Sequence, residues 1–150
     1  MTDEDLELAK KNSVVLVGTD FPAMLLREMG LPAEEWHARF IDRLKRAYKL
    51  SVPMAFGTDV VSDVPGYTRG SLALLFLDSF TEAGVPAKTI LQAMTTNAAR
   101  LLGVEKERGA IQVGLAADII ATPENPLDNI QTLKQVTFVM KDGKVFKRTL

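Results

Sequence analysis

The stretch Ser51-Val52-Pro53-Met54-Ala55-Phe56-Gly57-Thr58-Asp59 constrains the fold more than any other part of the chain. It is a short apolar run that stops on a glycine, a hydroxyl and a carboxylate. An apolar run of this length between helical patterns predicts a buried strand of a parallel α/β sheet. Such folds keep their chemistry at the C-terminal ends of their strands, which is where Asp59 stands. Side chains alternate faces along a strand. Asp59 is therefore expected to share a face with Gly57 and Ala55, with Met54, Phe56 and Thr58 on the other. The first face is small and leaves room beside a carboxylate; the second is bulky enough to pack on helices.

The motif occurs twice. Ser13-Val14-Val15-Leu16-Val17-Gly18-Thr19-Asp20 is a second β-branched run ending in Gly-Thr-Asp, 39 residues earlier. Between the copies, Trp36, Phe40, Leu44 and Ala47/Tyr48 recur at spacings of three and four, which predicts a helix over 33–50. Pro32 falls near its first turn, where a missing N–H costs little. Strand, helix, strand makes a βαβ unit, with a parallel sheet and a right-handed crossover. Asp20 reads as a turn or cap residue, with substrate contact as the alternative. His37 lies off the stripe and reads as a surface or partly packed side chain. Residues 4–11 form a short polar segment at the end of a helix.

After Asp59 the pattern predicts a loop over 60–68, then a helix over 69–83 with Leu72, Leu75, Phe76 and Phe80 inward and Gly84 closing it. A second helix is expected over 86–102, with Ile90, Met94, Asn97/Ala98 and Leu101 inward and Gly103 as a left-handed cap. Short strands follow at 110–113 and 117–121, then a proline- and asparagine-rich loop over 122–128. Asp142-Gly143 between two alternating runs, 136–141 and 144–147, is a type I′ hairpin signal.

At 150 residues the chain has the length of one ordinary domain. Its hydrophobic and charged contents, 47% and 25%, are those of an average soluble protein. A net charge of -1 gives no reason to expect nucleic acid or an anionic membrane as partner. The basic run Arg43, Lys45, Arg46 and Lys49 is interleaved with Asp42 and apolar residues and reads as a solvated helix face. With no cysteine there are no disulfides or thiolate metal sites. The acidic first residues lack an apolar core and are not expected to act as a signal peptide, and no apolar run approaches the roughly 18 residues of a membrane span. The expectation is a soluble protein, cytoplasmic, periplasmic or secreted.

Four segments together resemble the metal-dependent amidohydrolase superfamily, in its imidazolonepropionase-like and Xaa-Pro-dipeptidase-like branch. They are Gly57-Thr58-Asp59, the helix from Met94 to Gly103, the stretch from Gly109 to Ile120, and Val139 to Val145. In this order they cover roughly residues 50–148. The resemblance implies α/β architecture: the last two or three βα units of a (β/α)8 TIM-type barrel over 1–103, and strands of a small β-sandwich over 104–150. Residues 13–50 would be the seventh βα unit, and Asp59 would follow the eighth strand. It further implies hydrolysis of carbon–nitrogen bonds in a small-molecule amide, cyclic amide or dipeptide. The cofactor would be a divalent metal, zinc above all, one or two ions in a complete enzyme. Of the family's metal and catalytic residues only one has a match here: Asp59, as metal-proximal ligand and catalytic acid/base. Asp63, Tyr67 and Arg69, on or just after the loop, are candidates for substrate binding, Arg69 through a bidentate pair with a carboxylate; a solvated loop is the alternative. Asp118 resembles a residue that fixes a turn.

The chain also departs from the pattern. It has one histidine, His37, and no His-x-His, and a (β/α)8 barrel needs about 250 residues. The expectation is a C-terminal fragment, inactive alone and weak for zinc, since one carboxylate cannot close a tetrahedral site. The alternative is a degenerate, non-catalytic module whose uncovered strand edges associate with a second copy or with a chain supplying the missing half. A free-standing doubly wound protein with Asp20 and Asp59 flanking a crevice ranks last, since only two parallel strands can be placed.

Overall fold

The computed structural model describes residues 1–60 and 63–149, so positions 61 and 62 of the expected loop lie outside the described residues. The chain divides into two compact units, Met1–Pro86 and Ala87–Leu150. In the first, helix α1 (Asp3–Lys11) opens on a capping box, in which Thr2 and Asp5 each accept from the other's backbone N–H. Acidic residues fill its first turn and lysines its last, as the helix dipole favours.

Strands β1 (Leu16–Gly18) and β2 (Met54–Phe56) pair in parallel. Two helices lie between them, α2 (Ala23–Glu28) and α3 (Ala33–Lys49), where one was expected. The short α2 carries no long apolar period, but its Leu25 and Leu26 are buried. In α3 the inward stripe is Ala33, His37, Phe40, Leu44 and Ala47, turned away from the expected one at its N-terminal end. Trp36 and Tyr48 are exposed, while His37 is partly packed.

Helix α4 (Arg69–Glu82) follows the loop, capped by reciprocal Thr68–Ser71 hydrogen bonds. It buries Leu72, Phe76, Leu77, Ser79 and Phe80, and it ends where Gly84 takes φ +75. Phe76 meets Phe21 at 5.2 Å between ring centroids, and Phe80 meets Phe56 at 5.6 Å. These contacts join α4 to β2 and to the segment after β1, and they form the core beneath the strand ends.

The register of the sheet alters the reading of the repeated motif. Leu16 pairs with Met54 and Gly18 with Phe56, an offset of 38, whereas the two Gly-Thr-Asp copies are 39 apart. The copies therefore leave the sheet one residue out of step. The small face expected beside Gly57 is also not empty. A Cβ at Gly57 would lie 2.5 Å from Val17 Cγ1, so the Val17 side chain fills that space.

In the second unit the expected helix over 86–102 is two: α5 (Ala87–Met94) and α6 (Thr96–Leu101). The break is Thr95, at φ -124 and ψ -91, whose hydroxyl donates to Leu91 O at 2.6 Å. Ile90, Ala93 and Ala99 are buried, whereas Leu101 is exposed, contrary to expectation. Gly103 takes the expected left-handed cap, φ +70. Residues 110–113 form no strand, and Ile111 and Val113 stand in solvent. Strand β3 (Ile119–Ala121) pairs antiparallel with β4 (Phe138–Lys141), and β4 with β5 (Lys144–Arg148). Before β4 a 3-10 helix, Ile130–Gln135, buries Ile130, Thr132 and Leu133. The hairpin turns on Asp142 (φ 48) and Gly143 (φ 76), as type I′ requires. Asp118 holds that turn: its Oδ1 accepts from Asp142 N at 2.9 Å and its Oδ2 from Arg108 at 2.9 Å.

The Val17–Gly57 contact is testable. Gly57→Ala should destabilise the chain by about 1–2 kcal/mol through overpacking, and Val17→Ala in the same chain should recover most of that. Urea denaturation of the two single variants and the double variant measures the coupling.

Candidate functional site

Asp59 is not an extension of β2. The strand ends at Phe56, and Asp59 lies three residues on with φ 47, a left-handed conformation that aspartate tolerates. Strand alternation therefore does not place its side chain, which corrects the expected sharing of a face with Ala55 and Gly57. Asp59 borders a pocket of 290 Å³ whose apolar wall includes Phe21, Leu25, Val60, Val64 and Leu72, with Glu28 and Asp63 also in the lining. Of the other candidates, Asp63 belongs to this pocket, while Tyr67 and Arg69 do not line it. Arg69 stands 3.8 Å from Asp63, but both side chains are largely in solvent, where such a pair contributes little.

The twin carboxylate has the opposite fate. Asp20 is fully buried, paired through Oδ1 with the Arg43 guanidinium. Its backbone carbonyl accepts from Ser79 Oγ at 2.8 Å. A Cβ at Gly18 would fall on the Asp20 carboxylate, so only glycine fits there. Asp20 Oδ2 and Arg43 Nε are buried without hydrogen-bond partners. Burial pushes the Asp20 carboxyl above its usual range, and the Arg43 hydrogen bond and charge oppose that only in part. Asp20 is thus a buried ion-pair partner rather than the expected turn or cap residue or a substrate contact, and Arg43 is not on a solvated face. One cue to the pair was present in the sequence: Arg43 sits beside Leu44 and three residues after Phe40, at the edge of the apolar stripe.

His37 is occupied on both sides. Its Nδ1 lies 3.0 Å from Phe21 O and its Nε2 2.8 Å from Glu82 Oε2. Among the described residues no three His, Asp or Glu side chains converge as a metal would require. The described residues do not by themselves make a metal site. A larger cavity of 540 Å³ lies in the second unit, lined by Met94, Ala99, Leu102 and Ile119 among others. Its one carboxylate, Asp118, is already committed to Arg108 and the hairpin turn.

Residues 1–146 match the sequence profile of the amidohydrolase family. The chain belongs to that family. Ochratoxinase from Aspergillus niger is 32% identical over 159 aligned positions, covering 97% of this chain and 32% of that protein. Among solved structures, a Xaa-Pro dipeptidase with methionine bound in its active site superposes with a TM-score of 0.84. It is 30% identical, over 98% of this chain and 38% of the dipeptidase. The crystal structure of A. niger ochratoxinase gives a TM-score of 0.73 at 29% identity, over 99% of this chain and 35% of that one. The chain spans about a third of the length of the relatives it matches. It is a mixed α/β amidohydrolase-family chain that carries part of the amidohydrolase fold.

The buried pair gives a pH-dependent prediction. A carboxyl raised in the folded state contributes stability that is present in acid and lost as pH rises through its folded pKa. Urea titrations should show Asp20→Asn equal to wild type in acid and gaining on it as pH rises. Arg43→Met leaves the carboxylate alone and should cost about 3–5 kcal/mol at neutral pH, most of it recovered when Asp20→Asn is added.

Proposed function

We propose that this chain is the C-terminal portion of a metal-dependent hydrolase that cleaves the carbon–nitrogen bond of a small amide, cyclic amide or dipeptide. The observation that carries the reading is Asp59: a carboxylate just past the end of a parallel strand, bordering an apolar pocket, in a chain of the amidohydrolase family. On this reading residues 1–103 are the last βα units of a (β/α)8 barrel, with β2 as the eighth strand, and residues 104–150 are strands of a β-sandwich. The likeness to a Xaa-Pro dipeptidase with bound methionine supports a dipeptide or amino-acid amide as substrate.

Asp59 is the proton carrier. Its carboxylate takes a proton from the water that attacks the amide carbon, and it delivers that proton to the nitrogen as the C–N bond breaks, so that a neutral amine leaves. In a complete enzyme Asp59 would help hold a divalent metal, zinc by family resemblance, whose remaining ligands would come from outside these 150 residues. Such a metal, when bound, makes hydroxide available at neutral pH. Asp63, Tyr67 and Arg69 flank the path of the substrate. Alone, the chain is inactive.

A second reading is favoured by the β1–β2 sheet, which among the described residues has only two strands. Its outer edges keep unpaired backbone groups, so a second copy or a separate barrel half would cover them. The expected partners are then protein and small molecule. Among the described residues no helix is long and apolar enough to cross a membrane.

Equilibrium dialysis of the purified chain should find weak zinc binding, lowered further by Asp59→Asn; tight stoichiometric zinc would overturn the proposal. A chimera joining these residues to the preceding part of the dipeptidase they resemble should hydrolyse Xaa-Pro dipeptides. There Asp59→Asn should lower kcat by about 10²–10⁴-fold, and an unchanged rate would remove Asp59 from the chemistry.

A further inference from the structure

A carboxylate that carries protons needs its substrate held beside it, and the pocket at Asp59 is built to discriminate. Its wall is apolar and comes from three elements: Phe21 and Leu25 from the segment after β1, Val60 and Val64 from the segment after β2, and Leu72 from α4. Leu25 and Leu72 are buried and pack with Phe76, so the wall is backed by core. At 290 Å³ the pocket lies at the low end of the roughly 300–1,000 Å³ typical of ligand sites, the size for one side chain rather than a large molecule.

The polar lining has one sign. Glu28, Asp59 and Asp63 are its charged residues, and all three are exposed. Among the described residues no lysine or arginine lines it. Arg27, next in sequence, is paired with Glu34 at 2.5 Å, and Arg69 reaches Asp63 only at 3.8 Å between two exposed side chains. Carboxylates beside a low-dielectric apolar wall focus negative potential into the cleft. A ligand with an apolar arm next to an anion meets repulsion there. The same arm next to an ammonium is attracted twice, by burial and by charge.

We propose that this pocket selects substrates in which an apolar side chain lies beside a positively charged amine. For a dipeptide this means an apolar N-terminal residue with a free α-ammonium group. The inference rests on the hydrolytic reading for the word substrate, but the preference itself is a property of the pocket in this chain.

The test is a binding titration. The ¹⁵N-labelled 150-residue chain is titrated at neutral pH with phenethylamine, 2-phenylethanol and 3-phenylpropionate, which share one apolar group and differ in charge. Amide shifts should concentrate at Phe21, Leu25, Val60 and Val64. The amine should bind at least about fivefold more tightly than the acid, with the alcohol between, and added salt should narrow the gap. Glu28→Gln combined with Asp63→Asn should remove the discrimination while keeping affinity for the alcohol, and Val64→Phe should weaken all three ligands. Equal binding of amine and acid, or shifts mapping away from the pocket, would overturn the inference. Discrimination in the titration with no turnover by the chimera would uphold the pocket's preference and overturn the hydrolytic reading alone.

Discussion

The parallel pairing of two three-residue strands decides where both Gly-Thr-Asp carboxylates go. The strands pair at an offset of 38 while the motif repeats at 39, so the same three residues leave the sheet one step apart. At the first strand, Gly18 still lies in the sheet, and the chain folds Asp20 back over it into the protein. At the second strand, Gly57 lies already past the end, and the left-handed turn at Asp59 leaves that side chain in solvent. One of the two side chains is buried and the other is exposed.

The buried copy has a structural role that bears on the exposed one. Asp20 ties the segment after β1 to α3 through Arg43 and to α4 through Ser79. His37 adds a further link, from α3 to the Phe21 carbonyl and to Glu82 on α4. Phe21 and Leu25, which follow directly, form part of the wall beside Asp59. An ion pair that gains little in net stability when buried can still fix the geometry of a wall. The pocket's apolar side depends on this bracing.

Family membership and partial coverage give the site its meaning. A third of an amidohydrolase's length brings one candidate catalytic carboxylate and one wall of a pocket, and His37, the single histidine, is held in packing on both ring nitrogens. The second unit has its own logic: Asp118 and Arg108 brace a hairpin, and its cavity carries no free carboxylate.

Local chemistry was readable without coordinates. The Asp142-Gly143 turn, the caps at Gly84 and Gly103, the span of α3 and the start of α4 follow from backbone preferences that a few adjacent residues dictate. The two parallel strands follow from apolar runs that stop on turn residues, but the same pattern put Asp59 on the strand, whereas it lies three residues past the end of β2. Tertiary structure decided the rest. The break between α5 and α6 at Thr95 falls inside one apolar period, and the Thr95 hydroxyl bonds back to Leu91 O there. Ile111-Gln112-Val113 has strand composition yet joins no strand among the described residues, because a strand needs a partner that composition does not name. Asp20 and Arg43 are 23 residues apart, and no local rule connects them. The sequence by itself determined that two carboxylates would end two parallel strands. Which of them is buried and which faces a pocket was set by register, a relation between strands that neither strand contains.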